Sequence, residues 1–184
     1  MLIFSENGEI REYGAFLRSC NIMALPESIG SLTSLTQLQL GSNKLAHLPD
    51  CIGNLTWLTI LSVDYNLLTC LPDSIGNLFY LTHLGIANNQ LTSLPDSIGN
   101  LTAITVLRVN CNVLSRLPDS IGSMTALTEL YAQSNRLTSL PDSISKLTSL
   151  VSLYVGHNPI TRTKADKDEI KKRFERGGLI VIFD

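Results

Sequence analysis

The chain has 184 residues, 44% of them hydrophobic and 16% charged, with a formal net charge of −2. That length suits one domain or one repeat array, and the hydrophobic share is enough for a substantial core. The near balance of charge gives no general reason to expect a polyanion partner, and no apolar run is long enough to span a bilayer.

Met1 leads into Leu2-Ile3-Phe4 and then a polar, acidic stretch, without the basic start and apolar run of a secretory leader. The expected location is a cytoplasm, that of the producing cell or, after export by a specialised machine, that of a host. Asn7-Gly8, between Leu2-Ile3-Phe4 and Ile10-Arg11-Glu12-Tyr13, is a strong hairpin-turn signal and predicts an N-terminal β-hairpin cap. Ala15-Phe16-Leu17, Cys20 and Ile22 fall in register with the first full unit when shifted by 23 residues. Residues 12–24 are therefore read as a degenerate opening repeat, and residues 1–24 as the N-terminal cap region.

Six units of 23 residues follow without a gap, starting at Leu25, Leu48, Leu71, Leu94, Leu117 and Leu140 and filling residues 25–162. They share L-P-[DE]-x-I-[GS]-x-[LM]-[TF]-x-[LI]-[TV]-x-L-x-[LVIA]-x-x-N-x-[LI]-[TAS]-x. Leu38 and Leu40 alternate with polar residues, as in a strand with one buried face. Leu25, Ile29 and Leu32 recur at spacings of four and three, as one face of a helical turn does. Pro26 suits the first position of that turn, where its missing N–H would be unbonded anyway. Gly30 is expected to cut the turn short through its backbone freedom; every unit has this glycine except the last, which has Ser145. No unit can bury its apolar face alone, so neighbours must stack. Asn43, Asn66, Asn89, Asn112, Asn135 and Asn158 recur at one position, and a buried amide needs partners. They are expected to form a structural ladder, bonding the backbone of the bend in their own unit and the next.

This pattern resembles the leucine-rich-repeat family in its short form, whose L-x-x-L-x-L-x-x-N-x-L heart is carried in the first unit by Leu35, Leu38, Leu40, Asn43 and Leu45. The L-P-x-x-I-G-x-L half resembles intracellular members, including Ras-pathway scaffolds, their plant relatives and bacterial effectors. The resemblance covers about three quarters of the chain. It implies an α/β solenoid: a right-handed horseshoe with a parallel β-sheet on its concave face and short helical turns on its convex side.

After Pro159 the pattern stops, leaving residues 163–184 as a C-terminal cap of helix and strand. Thr163 and Asp166 resemble a capping box, Ile170 and Phe174 share a face, and Gly177-Gly178 ends the helix. Leu179 to Phe183 then reads as a buried strand. Half of the Lys and Arg residues, seven, lie between Arg162 and Arg176, against four acids. Lys164, Lys167, Lys171, Lys172, Arg173 and Arg176 alternate with Asp166, Asp168, Glu169 and Glu175, which weakens any positive field. A solvated cap is the expectation; docking of this helix on anionic lipid or nucleic acid is the alternative.

Function is sought where the six copies differ. On each strand the residues alternating with the buried leucines, and the two after it, vary freely. Period-two geometry puts them on the open face of the sheet, in columns with a spacing of about 5 Å. Tyr131 and Tyr154 are neighbours in one column, beside Arg108 and near His157, with Glu129 and His83 in the next column. Tyr65 and Asp64 form a second patch. Aromatic and Arg residues are typical interface anchors, so these eight positions are expected to bind another protein. Trp57 and Tyr80 are candidates for a rim contact. The chain is expected to be a monomeric, non-catalytic signalling adaptor or bacterial effector, with no nucleic-acid partner. No catalytic residue, metal ligand or cofactor site is assigned: His83 and His157 face the open side three units apart, and no spacing assembles nucleophile, base and orienter. Cys20, Cys51, Cys70 and Cys111 form no C-x-x-C pair and read as reduced, structural thiols.

Overall fold

The computed structural model describes residues 2–4, 10–174 and 178–183. Nine strands lie in one sheet in chain order: β1 (Leu2–Phe4), β2 (Ile10–Phe16), β3 (Gln37–Gln39), β4 (Ile60–Ser62), β5 (His83–Gly85), β6 (Val106–Arg108), β7 (Glu129–Tyr131), β8 (Ser152–Tyr154) and β9 (Ile180–Ile182). β1 pairs antiparallel with β2, forming the expected hairpin, while its Asn7-Gly8 turn lies outside the described residues. β2 to β9 run parallel. Gly14 pairs with Gln37, and Gln37 with Ile60, so the opening segment keeps the step of the repeats. The middle residue of each repeat strand, from Leu38 to Leu153, is at most 1% exposed, while its neighbours face the open side. The architecture is thus an α/β solenoid, with one continuous core of leucine, isoleucine and valine running from Leu25 to Val181.

Each strand from β2 to β7 is followed by a bend and a five-residue 3₁₀ turn, as at Glu27–Ser31 and Asp73–Asn77. The prolines do not occupy the first position of these turns. Pro26 precedes its turn in an extended conformation (φ −72°, ψ 152°), and its carbonyl accepts the Ile29 N–H at 3.0 Å. Proline cannot donate, but its carbonyl accepts freely, so it serves where an acceptor alone is needed. The Ile29 and Leu32 carbonyls carry the same bonding on to the Leu32 and Leu35 N–H groups.

The repeated glycines also act differently from expectation. Among the described residues Gly178 is the one glycine with positive φ, so the turn glycines need no special backbone conformation. A Cβ on Gly53 would lie 2.7 Å from the Ser74 Cβ, and one on Gly76 would lie 2.8 Å from the Ser97 Cβ. Glycine is required there because the next turn packs directly on it. Ser145 is tolerated because no further turn at that repeat position follows Asp142–Lys146.

The asparagines form a ladder, directed backwards rather than forwards. Asn66 Oδ1 accepts the Leu45 N–H at 2.9 Å, and its Nδ2 donates to the Leu40 carbonyl at 3.0 Å, both in the preceding unit. Within its own unit Nδ2 also donates to the carbonyls of Val63 and Asp64. Asn89, Asn112, Asn135 and Asn158 repeat the arrangement. The direction follows from the bend: its unpaired groups point towards the following unit, whose asparagine meets them. At the opening repeat Cys20 replaces asparagine, and its thiol donates to the Arg18 carbonyl. A second ladder was not foreseen. The hydroxyls of Thr59, Thr82, Thr105 and Thr128 each donate to the threonine carbonyl one unit earlier, at 2.9–3.0 Å.

At the C-terminal end α1 (Lys164–Phe174) buries Ile170 and Phe174 against the last unit. Asp166 accepts the Thr163 N–H at 2.8 Å while the Thr163 hydroxyl accepts the Asp166 N–H, closing the capping box. Those bonds hold the Asp166 carboxyl below its usual range. Gly177 lies outside the described residues. β9 is not the buried strand the sequence suggested: Val181 is 5% exposed but Ile180 is 55% exposed. Its side chains alternate as in the other strands, so Val181, level with Leu153, faces the core and Ile180, level with Ser152, the open side. Among the described residues no helix is long and apolar enough to cross a membrane.

Candidate functional site

The open face of the sheet divides into two parts that meet at Arg108. Towards the C-terminus, Tyr131 and Tyr154 stand opposite each other on β7 and β8. Their rings stack with centroids 4.3 Å apart and planes 7° from parallel. The Arg108 guanidinium, one strand earlier, lies 5.4 Å from the centre of the Tyr131 ring. The three therefore form one row, Arg108–Tyr131–Tyr154, in which each side chain stiffens the next. Glu129, two residues along β7 on the same face, accepts the Tyr131 hydroxyl proton at 2.6 Å. That carboxylate, then burial and the Tyr154 hydroxyl, push the Tyr131 phenol up to about 12. At neutral pH the row presents a protonated Tyr131 phenol beside the exposed Arg108 side chain.

Towards the N-terminus lies a hollow of about 440 Å³. Asp64, Tyr65, His83 and Arg108 all line it, so four of the eight expected residues surround one space. Its floor is low because Gly85 and Ala87 occupy the middle of the face. Asp64 leans over Gly85, where a Cβ would lie 2.5 Å from its Oδ2. Asp64 Oδ1 accepts the Ala87 N–H at 2.8 Å and Oδ2 accepts the Ser62 hydroxyl at 2.8 Å, so this carboxylate holds the wall of the hollow in place. Arg18, from the opening repeat, also lines the space; sequence reasoning passed over it because it lies outside the six matching units.

Tyr65 is 59% exposed and has a left-handed backbone, φ 56°. So do Ser42, Asn88, Cys111, Ser134 and His157, which precede the ladder asparagines. The bend imposes this conformation, which side-chain-bearing residues adopt at a cost. A row of unlike residues gave no sequence signal for it.

His157 stands apart from His83 and lines a different hollow at the end of the solenoid. The four cysteines are free. Burial and the Glu27 carboxylate push the Cys51 thiol up, which makes it a poor nucleophile. Among the described residues no three His, Cys, Asp or Glu side chains gather as a metal site would require. Trp57 and Tyr80 stack at 5.1 Å, beside the exposed Phe79, outside the open face.

Comparison with known proteins places this geometry. A family model described as a leucine-rich repeat region matches residues 69–171, more than half of the chain. Among solved structures, a leucine-rich-repeat protein of Leptospira interrogans is 31% identical with a TM-score of 0.65, over 89% of this chain and 46% of its own. The ectodomain of the Arabidopsis thaliana receptor kinase GASSHO1/SCHENGEN3, solved in complex with Casparian strip integrity factor 2, is 35% identical with a TM-score of 0.69, over 78% of this chain and 17% of its own. An internalin of Listeria monocytogenes is 25% identical with a TM-score of 0.75, over 92% of this chain and 47% of its own. The chain thus spans less than half the length of each of these proteins. A comparison with curated proteins found no match.

Proposed function

This chain belongs to the leucine-rich-repeat family, and from that premise we propose that it is a non-catalytic module holding a protein partner on the open face of its sheet. The observation that carries the reading is the row Arg108–Tyr131–Tyr154 beside the Asp64–Tyr65–His83 hollow. The repeat demands none of these side chains, since the same columns hold Gln, Ser, Gly or Val in other units. A pre-stacked aromatic row loses little side-chain freedom on binding, and a neighbouring hollow accepts a protruding side chain of the partner. The plant ectodomain solved with a bound factor supports the same use of a similar fold. The module then serves as a signalling adaptor in the producing cell or as an effector in a host cytoplasm. Tyr131, Tyr154, Arg108, Glu129, His83, Tyr65 and Asp64 are the contact residues of this reading, and His157 lies at its edge.

The test is quantitative capture of partners by the wild type and by the double variant Tyr131→Ala/Tyr154→Ala, with melting temperatures measured on both. Loss of a partner with the fold retained supports the site; a partner held with unchanged affinity moves it elsewhere. Binding that collapses with added salt and depends on α1 alone would favour the alternative of surface targeting through the C-terminal helix.

A further inference from the structure

The end of the solenoid holds a second hollow, of about 830 Å³, between the bends of the last two units, α1 and Phe183. Arg136, His157, Arg162 and Lys167 line it, and among the described residues no carboxylate does. The repeat does not ask for Arg136: the same position holds Lys44, Leu67, Gln90, Val113 and Pro159 in the other units.

α1 contributes by sorting its charges. They alternate in sequence, but the helix turns two of its acids, Asp166 and Glu169, into a different recess from Lys167. Asp166, Glu169 and Arg173 line a recess on one flank, where Arg173 pairs with Asp142. Lys167 and Lys171 lie on the other flank, with their ammonium nitrogens 5.5 and 5.8 Å from the centre of the same Phe183 ring. Two like charges drawn to one ring repel each other, and an anion in the hollow beside Lys167 relieves that repulsion. Among the described residues, none of Arg136, Arg162, Lys167 and Lys171 has a carboxylate within ion-pair distance.

We propose that this hollow binds a phosphoryl group, as a free phosphate monoester or on a lipid headgroup. Arg136 and Arg162 supply planar forks that match tetrahedral oxyanions, Lys167 supplies a compact charge, and His157 can donate one N–H. The site is independent of the tyrosine row, so either can fail without the other.

The experiment titrates the full chain with inorganic phosphate, followed by calorimetry and amide NMR, and measures its sedimentation with phosphatidylcholine vesicles. The vesicles carry either a phosphorylated inositol lipid or phosphatidylserine at matched charge. Saturable phosphate binding is expected, weakened roughly a hundredfold or more by Arg136→Gln/Arg162→Gln, since each lost charged hydrogen bond is worth roughly a factor of ten. Lys167→Gln should weaken it less, and Lys44→Gln, at the same repeat position as Arg136, should leave it unchanged. All four residues are outside the core, and equal melting temperatures establish that the variants fold. Preference for the phosphorylated lipid over phosphatidylserine assigns the lipid source; phosphate binding without that preference assigns a free one. No saturable binding to either probe overturns the site. So does an equal loss in Lys44→Gln, which would mean diffuse charge attraction.

Discussion

Leu38, Leu61, Leu84, Leu107, Leu130 and Leu153 are interchangeable: each fills the same place in the core and is at most 1% exposed. The next residue along each strand gives Gln39, Ser62, Gly85, Arg108, Tyr131 and Tyr154, which have almost nothing in common. The two rows are one residue apart in the chain and on opposite faces of one sheet. The inner row is held to one solution because each unit must fit both neighbours. The outer row is not held to one shared solution: its contacts, such as Asp64 over Gly85 and the Tyr131–Tyr154 stack, differ from unit to unit and leave it free to serve recognition.

The sharpest way to break the comparison is to damage the inner side at one unit. Asn89→Ala removes the acceptor of the Leu68 N–H and the donor to the Val63 and Ile86 carbonyls. The expected loss is about 3 kcal/mol, the upper end for an unsatisfied buried group, because more than one is left bare. Chemical denaturation measures it, and a midpoint at the wild-type value would show that the ladder is dispensable. Next in size is Gly76→Ala, which forces a methyl against Ser97 and should cost about 2 kcal/mol by overpacking. Ser145→Ala in the last unit should change stability by less than about 0.5 kcal/mol. Equal costs at the two positions would contradict the stacking explanation.

On the outer side, perturbation should change chemistry more than stability. The Tyr131 phenol should titrate at about 12, seen in the ultraviolet absorbance of tyrosinate. Glu129→Gln should bring it back towards its ordinary value of 10.0, since the accepting carboxylate is the largest cause of the shift. The raised value favours the protonated phenol in the folded state. Its stabilisation is therefore complete below pH 10 and is lost as pH rises towards 12. A Tyr131 that titrates identically in both proteins would separate it from Glu129. Tyr65→Gly should act on stability in the opposite direction. Releasing a tyrosine from φ 56° should raise stability by about 1 kcal/mol, while removing an exposed ring from the hollow should weaken partner binding. A destabilised variant would mean that the ring packs against the fold.

Much of this molecule was legible before folding. The 23-residue period located the strands, the buried leucines, the asparagine ladder and the tyrosine pair, because a register of one residue per unit brings equivalent positions together. The threonine ladder had its signal too, a threonine kept in units one to five, at a position to which the sequence reading gave no role. Alternation in the chain hid that α1 turns Lys167 and Asp166 towards different hollows.

Within the repeats, sequence by itself determined which side chains are buried and which row each open one joins, because both follow from the 23-residue period and the alternation along each strand. Tertiary structure alone decided what lies between rows and beyond the repeats. It set Asp64 over Gly85, bonded Tyr131 to Glu129, stacked Gly76 on Ser97, and brought Arg136 and Arg162 to the flank of α1. Such contacts depend on distances across the sheet and between stacked turns, which the repeat period does not encode.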